Sequence, residues 1–431
     1  MLRRGYRGLA VVVVAAGLLG VGASSAVAGS RGSLDGYLER AAVESGSGRD
    51  LARLGALTRG ATVVGLGETA HGIAELTDQK SRAVRYLVAE RGFRTLAWED
   101  DWTLGVQIND YIHGRRGDRD ALVGQMSREA RTEQVASLLS WLREYNRTHR
   151  EKVTFVGAEY FATRPLAYHA VRDYVARRAP QHLPAVNAYL EQICPPDDNM
   201  GEYLDFYRNV DDQTPYLRAA NALFDLVDNL DHRPADRDYA LVLHHARQIR
   251  SFYTAFSIPE DEVLAYRDAR AAENLRWWQQ YSSDRVIYWA AAAHTTTAPE
   301  VTINIGPNPA ARFAPVGSYL DRWYTHRYIT IGYTFDQGTM FVPPAQQATL
   351  PPALPNWFEA PLAQVSHDSF YLDLTRPTPR PARDWLTQPT VTRGLPEAGT
   401  TSTITGGTPQ HWYDALHHTQ NVTASTPLTN R

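Results

Sequence analysis

Ala61-Thr62-Val63-Val64-Gly65-Leu66-Gly67-Glu68-Thr69-Ala70-His71-Gly72 is an apolar run that ends in closely spaced glycines and polar residues. Its first part, Ala61 to Leu66, has the length and composition of a buried strand. The glycines let the backbone turn sharply from strand to helix. The residues that follow have helical period. Ile73, Leu76, Ala83, Val84, Leu87 and Val88 make one apolar face, and Gly92 stands where a C-cap is expected. A second apolar run, Phe93 to Trp98, comes next. Strand, helix, strand in this rhythm implies a parallel sheet covered on both faces.

Three further runs read as strands of the same sheet: Lys152 to Gly157, Arg285 to Ala290 and Tyr328 to Tyr333. Between about residues 165 and 280 the pattern is mainly helical, with periodic stretches at Leu166–Arg177, Tyr216–Leu230, Tyr239–Phe256 and Arg267–Tyr281. The expected fold is therefore α/β, a parallel-sheet core with flanking helices and a mainly helical lobe inserted between the third and fourth strands. The proline-rich stretch Val342–Pro355 reads as a surface connection and Gly399–Gly407 as a polar loop. No internal repeat is evident.

The chain has 431 residues, 43% of them hydrophobic, enough to bury a sizeable core without disulfides or metals. A net charge of −3 gives no reason to expect nucleic acid or an anionic membrane surface as partner. Residues 1–28 read as a signal peptide: Arg3, Arg4 and Arg7 precede the apolar run Leu9–Val21 and the small-residue site Ala26-Val27-Ala28. That run is shorter than the ~20 residues a membrane span needs, so cleavage after Ala28, a secreted or extracytoplasmic product and no stable membrane anchor are expected. Arg3-Arg4 does not decide between export routes. Cys194 is the only cysteine, which excludes an internal disulfide.

Ionisable residues follow four of the expected strands: Glu68 and His71 after the first, Glu99 after the second, Glu159 after the third and His294 after the fourth. The carboxyl ends of parallel strands line the ligand crevice in open α/β sheets, so these distant residues are expected to converge. An imidazole suits general-base work near neutral pH. Glu68 or Glu99 would accept the ring N–H of His71 and stabilise the imidazolium. The bland alternative is a helix-start histidine bonded to backbone. Lys80 falls on the apolar stripe between Leu76 and Ala83, so it points an ammonium inward, toward Glu99 or a substrate, unless it snorkels to the surface. Glu75 lies nearly opposite that stripe and reaches the same cleft only if a second layer covers the helix.

Other chemistries find little support. Gly65-Leu66-Gly67-Glu68-Thr69-Ala70 fits a loose dinucleotide pattern, but Glu68 would repel a pyrophosphate at the helix N-terminus. G-x-S-x-G, a P-loop and H-E-x-x-H are all missing. His71, Glu68, Glu99 and His294 include acceptable zinc ligands, but their spacing is no recognised metal signature. No metal or cofactor is expected.

The run Leu66-Gly67-Glu68-Thr69-Ala70-His71-Gly72, with Glu75, Gly92-Phe93, Glu99 and Asp101-Trp102, resembles the opening signature of the erythromycin esterases and their succinoglycan-biosynthesis relatives. The likeness continues through Trp141-Leu142-Arg143, Arg267-Asp268, Gly317-Ser318-Tyr319-Leu320, Gly332-Tyr333-Thr334-Phe335 and Tyr413-Asp414-Ala415-Leu416, nearly the whole mature chain. The resemblance implies that His71 is the general base activating water to open an ester or lactone, usually without an obligatory metal. It implies site roles for Glu68, Glu99 and His294, and matches Glu75 to a further acidic and Lys80 to a basic site residue. Two departures alter the pocket wall. Trp289-Ala290-Ala291-Ala292-Ala293-His294 lacks a histidine and an amide that the family often carries, and Glu159 replaces a common aspartate with a side chain longer by about 1.5 Å.

The leading reading is an exported carboxylic ester hydrolase acting on a small-molecule ester or lactone, with a macrolide as first substrate guess. Two rivals stay open: a binding protein that kept the cleft after losing part of the site at Ala291 and Ala292, and a non-hydrolytic acid–base enzyme of a biosynthetic pathway.

Overall fold

A computed structural model describes residues 33–304, 310–343, 346–376, 378–395, 399 and 402–428; the expected signal peptide lies outside the described residues. In chain order the strands are β1 Val43–Glu44, β2 Val63–Glu68, β3 Thr95–Asp101, β4 Thr154–Glu159, β5 Val286–Ala291, β6 Val301–Ile303, β7 Ala311–Phe313, β8 Tyr328–Val342, β9 Gln346–Leu350, β10 Ser369–Asp373, β11 Val391–Arg393, β12 Thr403–Thr405 and β13 Ala415–Val422.

The main sheet runs β1-β10-β13-β8-β2-β5-β3-β4, with β9 attached to β8. The six strands from β13 to β4 are parallel to their neighbours, while β10, β1 and β9 pair antiparallel. β2 is central and buried throughout, which explains its apolar run. After β2 the chain crosses to β3, and β5 later enters between them, whereas β8 pairs on the opposite side of β2. The crevice at the carboxyl ends opens where the strand order changes direction.

Alternation divides the sheet residues between two faces. Val64, Leu66 and Leu96 pack with Leu76, Val84, Leu87 and Val88 of the helix Ala74–Arg91, which Gly92 ends at φ 72°. Val63, Ala97 and Tyr288 pack on the other side with Ala271, Ala272 and Leu275 of the helix Val263–Ser282. Each such buried Leu or Val contributes roughly 1.5–3 kcal/mol over an exposed one. Between β4 and β5 lie helices at Pro165–Arg178, Leu183–Ile193, Met200–Arg208, Thr214–Asp228, Arg237–Ala255 and Val263–Ser282. The first five enclose a separate core containing Tyr168, Tyr203, Tyr207 and Tyr253. There the Tyr203 and Tyr253 hydroxyls lie 2.6 Å apart.

Three expectations need correction. The first three strands end two or three residues later than their apolar runs, so Glu68, Glu99 and Glu159 belong to strands. Backbone pairing continues under a polar side chain where a neighbouring strand supplies the ladder, as at Glu68↔Ala291 and Glu68↔Tyr333. Within Val342–Pro355, β9 forms antiparallel to the extended end of β8, because residues 346–350, between Pro343-Pro344 and Pro351-Pro352, contain no proline and keep their N–H groups for pairing. Within Gly399–Gly407, β12 joins a four-stranded antiparallel sheet of order β11-β12-β6-β7. Ile404 of β12 is buried in a core there, which outweighs the flanking loop composition.

Candidate active site

The end of β2 and the turn after it position the first pair of site residues. A Cβ at Gly67 would lie 2.1 Å from Thr295 Oγ1 and 2.9 Å from Ala292 Cα. Glycine there lets the short helix Ala292–Thr295 rest directly on the strand end. Glu68 closes the strand, and three residues on His71 turns back so that its Nδ1 lies 3.0 Å from Glu68 Oε1. The other Glu68 oxygen forms an ion pair with Lys80. The His71 side chain keeps 30% of its surface exposed against 9% for Glu68, so the ring can be reached from outside while its carboxylate cannot. With Nδ1 committed to Glu68 as an N–H donor, Nε2 is left as the basic nitrogen.

Lys80 is fully buried, as the apolar stripe foretold, but its partner is Glu68 rather than Glu99. One turn and a half along the helix, its ammonium reaches back over the end of β2. It donates to the Ala290 carbonyl at 3.2 Å and lies 4.2 Å from the Trp289 ring centroid. Burial pushes its pKa well below the lysine value, opposed by the charge of Glu99. Trp289 stacks on Trp98 at 4.3 Å, giving the ammonium an aromatic floor.

A second cluster gathers at the ends of β3, β4 and β5. Glu99 accepts from Arg267 Nη2 at 2.7 Å and from the Ala291 N–H at 2.7 Å. His294 Nε2 lies 3.3 Å from Glu99 Oε1 and 3.2 Å from Arg267 Nη1, while Nδ1 donates to Asp268 at 2.9 Å. Asp268 also accepts the Val316 N–H at 2.9 Å, which fixes its orientation. Glu159 Oε1 lies 3.1 Å from Arg267 Nη2. Burial would raise the pKa of Glu99, but His294, Arg267 and His71 outweigh it and hold that carboxyl well below its usual range. Burial pushes Glu159 up to about 7 despite Arg267. For His294, burial would lower the pKa, but Asp268 and Glu99 outweigh it and raise the value.

Two cavities of about 410 and 190 Å3 share Glu68, Ala70, His71, Glu99 and Arg267. The larger is walled by Leu76, Trp98, Val135, Phe161 and Trp289. The smaller is walled by Ala291, Ala292, Ala293, Ile303, Ile404 and Trp412, with His294 at its side. A base, an anion, a guanidinium and apolar walls thus meet at one junction.

His71, Glu68, Glu99 and His294 converge, and Glu159 and Lys80 lie buried against that group. Glu75 does not join them. Its carboxylate accepts from the Thr423 backbone N–H and hydroxyl, each at 2.7 Å, tying the helix start to the segment after β13. It faces away from the cleft, as its position opposite the apolar stripe dictates. Arg267 and Asp268 were assigned no role from the sequence. The signal was present: Asp268, Ala271, Ala272 and Leu275 share the buried helix face, so an acid lies on an apolar stripe as Lys80 does. Arg393, buried between the Phe335 and Trp357 rings at 4.6 and 4.7 Å and lining the smaller cavity, carried no such signal.

A mostly parallel sheet flanked by helices, with a histidine–carboxylate pair at its strand ends, defines the class as α/β. The chain belongs to the erythromycin esterase family, whose model matches residues 88–422. Erythromycin esterase type II of Escherichia coli is 35% identical over 97 residues, 22% of this chain and 23% of that protein, so the match spans under a quarter of that relative. A Bacillus cereus protein of known structure has the same fold, with a TM-score of 0.78 and 22% identity over 91% of this chain and 98% of its own. A succinoglycan biosynthesis protein gives a TM-score of 0.77 and 21% identity over 92% of this chain and 98% of its own. A mutant of the erythromycin esterase EreC, in an open conformation, gives 0.70 and 14% over 89% and 96%.

Proposed function

We propose that the protein is an exported carboxylic ester hydrolase that opens an ester or lactone with water activated by His71. The observation that carries this reading is the His71 ring, held through Nδ1 by Glu68 at 3.0 Å and lining both cavities. In the reaction Nε2 takes a proton from water as the oxygen attacks the ester carbonyl carbon. Glu68 stabilises the imidazolium, and Lys80 on its other oxygen holds Glu68 in place. The Arg267 guanidinium, at the same junction, meets the negative charge that develops on the carbonyl oxygen. Collapse breaks the bond to the alkoxide, which receives the proton back from His71. Products are a carboxylic acid, which releases its proton to solvent, and an alcohol, joined in one molecule when the substrate is a lactone.

Apolar walls on both sides of the junction favour a substrate with a hydrophobic body, and the family makes a macrolactone the first class to test. Export rests on the pattern of residues 1–28. The test is hydrolysis of a panel of macrolides and simple esters by the mature chain and by His71→Ala, followed by mass spectrometry. Turnover lost in His71→Ala supports the proposal. Survival of every substrate with a folded wild-type protein overturns it and leaves a binding role, in which Ala291 and Ala292 mark the loss of chemistry.

A further inference from the structure

Glu159 closes β4 and is 1% exposed, yet only one of its oxygens has a partner. Oε1 lies 3.1 Å from Arg267 Nη2, whereas Oε2 is buried without a hydrogen bond. An ionised carboxylate in that position would leave a charged oxygen unsolvated, which is strongly unfavourable. Arg267 and Asp268 face it from the helix Val263–Ser282, Glu99 from β3, His294 from the helix Ala292–Thr295. The Tyr288 hydroxyl, buried without a partner, belongs to β5, and Tyr160 is the chain neighbour of Glu159.

The guanidinium geometry gives that proton a consequence. The same nitrogen, Arg267 Nη2, is 2.7 Å from Glu99 Oε1 and 3.1 Å from Glu159 Oε1. Ionising Glu159 creates a second strong acceptor for it, and attraction toward β4 competes with the hold of Glu99. We propose that Glu159 is a positioning residue that carries a proton in the working enzyme, keeping Arg267 on Glu99 with its charge available to the cleft. Loss of the proton draws the guanidinium toward β4 and weakens catalysis. Burial, acting against Arg267 and with Asp268 and Glu99, supports a protonated state up to about pH 7. The catalytic consequence rests on the esterase reading; the protonation state does not.

Two measurements separate them. Infrared pH titration of the mature wild-type chain against Glu159→Gln should reveal a protonated-carboxyl band that fades as pH rises through about 7 and is missing from the variant. On a substrate that is turned over, wild-type kcat should fall about fivefold on the alkaline side, with KM nearly constant. Glu159→Gln, a neutral isostere, should flatten that fall to within about twofold, and Glu159→Asp should restore it. The proposal is overturned by a wild-type protein with no such band, by the same band in Glu159→Gln, or by a variant that follows the wild-type pH profile. Failure of Glu159→Gln to fold at pH 6 also contradicts it, because a neutral side chain is what the cluster is argued to hold. If no ester is hydrolysed, the esterase reading fails alone and the infrared result still decides the protonation.

Discussion

Replacing Glu68 by Gln removes the charge that faces the imidazolium while keeping the size of the side chain. In the wild type the carboxylate oxygen is 3.0 Å from His71 Nδ1. Taking charge centres about 4 Å apart and an effective dielectric constant of about 20, the attraction that arises only when His71 is protonated is about 4 kcal/mol. Lys80 on the other Glu68 oxygen offsets part of this, leaving about 3 kcal/mol, roughly a hundredfold in kcat. Because the interaction belongs to the transition state, KM should change little. The variant also strands the Lys80 ammonium in a buried site, at a cost in stability of about 3 kcal/mol, whereas Glu68→Gln combined with Lys80→Met should recover most of that stability without recovering activity. The assay is steady-state hydrolysis, with urea unfolding of the two single variants and the double. A kcat within fivefold of wild type, or an effect confined to KM, would refute the role given to Glu68.

Further expectations concern the scaffold. Asp50, fully buried, accepts two bonds from Arg82 and one from the Gly46 N–H, and these outweigh burial to lower its pKa to about 2 from 3.8. Its contribution of about 2 kcal/mol is present above the unfolded value and is lost as pH falls through the folded one. Asp50→Asn should therefore be less stable by that amount at pH 7, with the gap to wild type closing below pH ~4 in denaturant titrations. His417 and His418 are buried neutral, their pKa values lowered by burial to about 4 and about 3 from 6.5. The unfolded chain binds protons first, so unfolding free energy should drop as pH falls below 6.5, less steeply in His418→Asn. Gly67→Ala must push the new methyl against Ala292 Cα and should cost about 1–3 kcal/mol by urea unfolding, with activity falling as the short helix that carries His294 shifts.

The sheet was legible because β2 to β5 are buried on both faces, and burial of that kind writes an uninterrupted apolar run. Their exact ends were not legible, since a strand persists under Glu68, Glu99 and Glu159 when a neighbour completes its hydrogen bonds, and apolar content says nothing of that. β9 and β12 were hidden for a related reason. Both are short and lie beside prolines or glycines; β9 is the return arm of a hairpin whose flanking prolines mask it, and β12 is decided by pairing with β6, distant in sequence. At the site, the glycine turn placed His71 beside a carboxylate, and the stripe turned Lys80 inward. Which carboxylate served which partner was undetermined until the helix was docked, because Glu68 and Glu99 both end neighbouring parts of the sheet. Arg267 and Asp268 belong to a helix far along the chain, and only the packing of that helix against β4 brings them to Glu99 and His294.

The central claim is that His71 activates water. It is tested most directly by hydrolysis in oxygen-18 water, with the product mass measured for wild type, His71→Ala and a chelator-treated sample. One heavy oxygen in the carboxylate product of the wild type, unchanged by chelator and lost with the activity in His71→Ala, is the predicted result. Product formed without heavy oxygen, or equal labelling by His71→Ala, would contradict it.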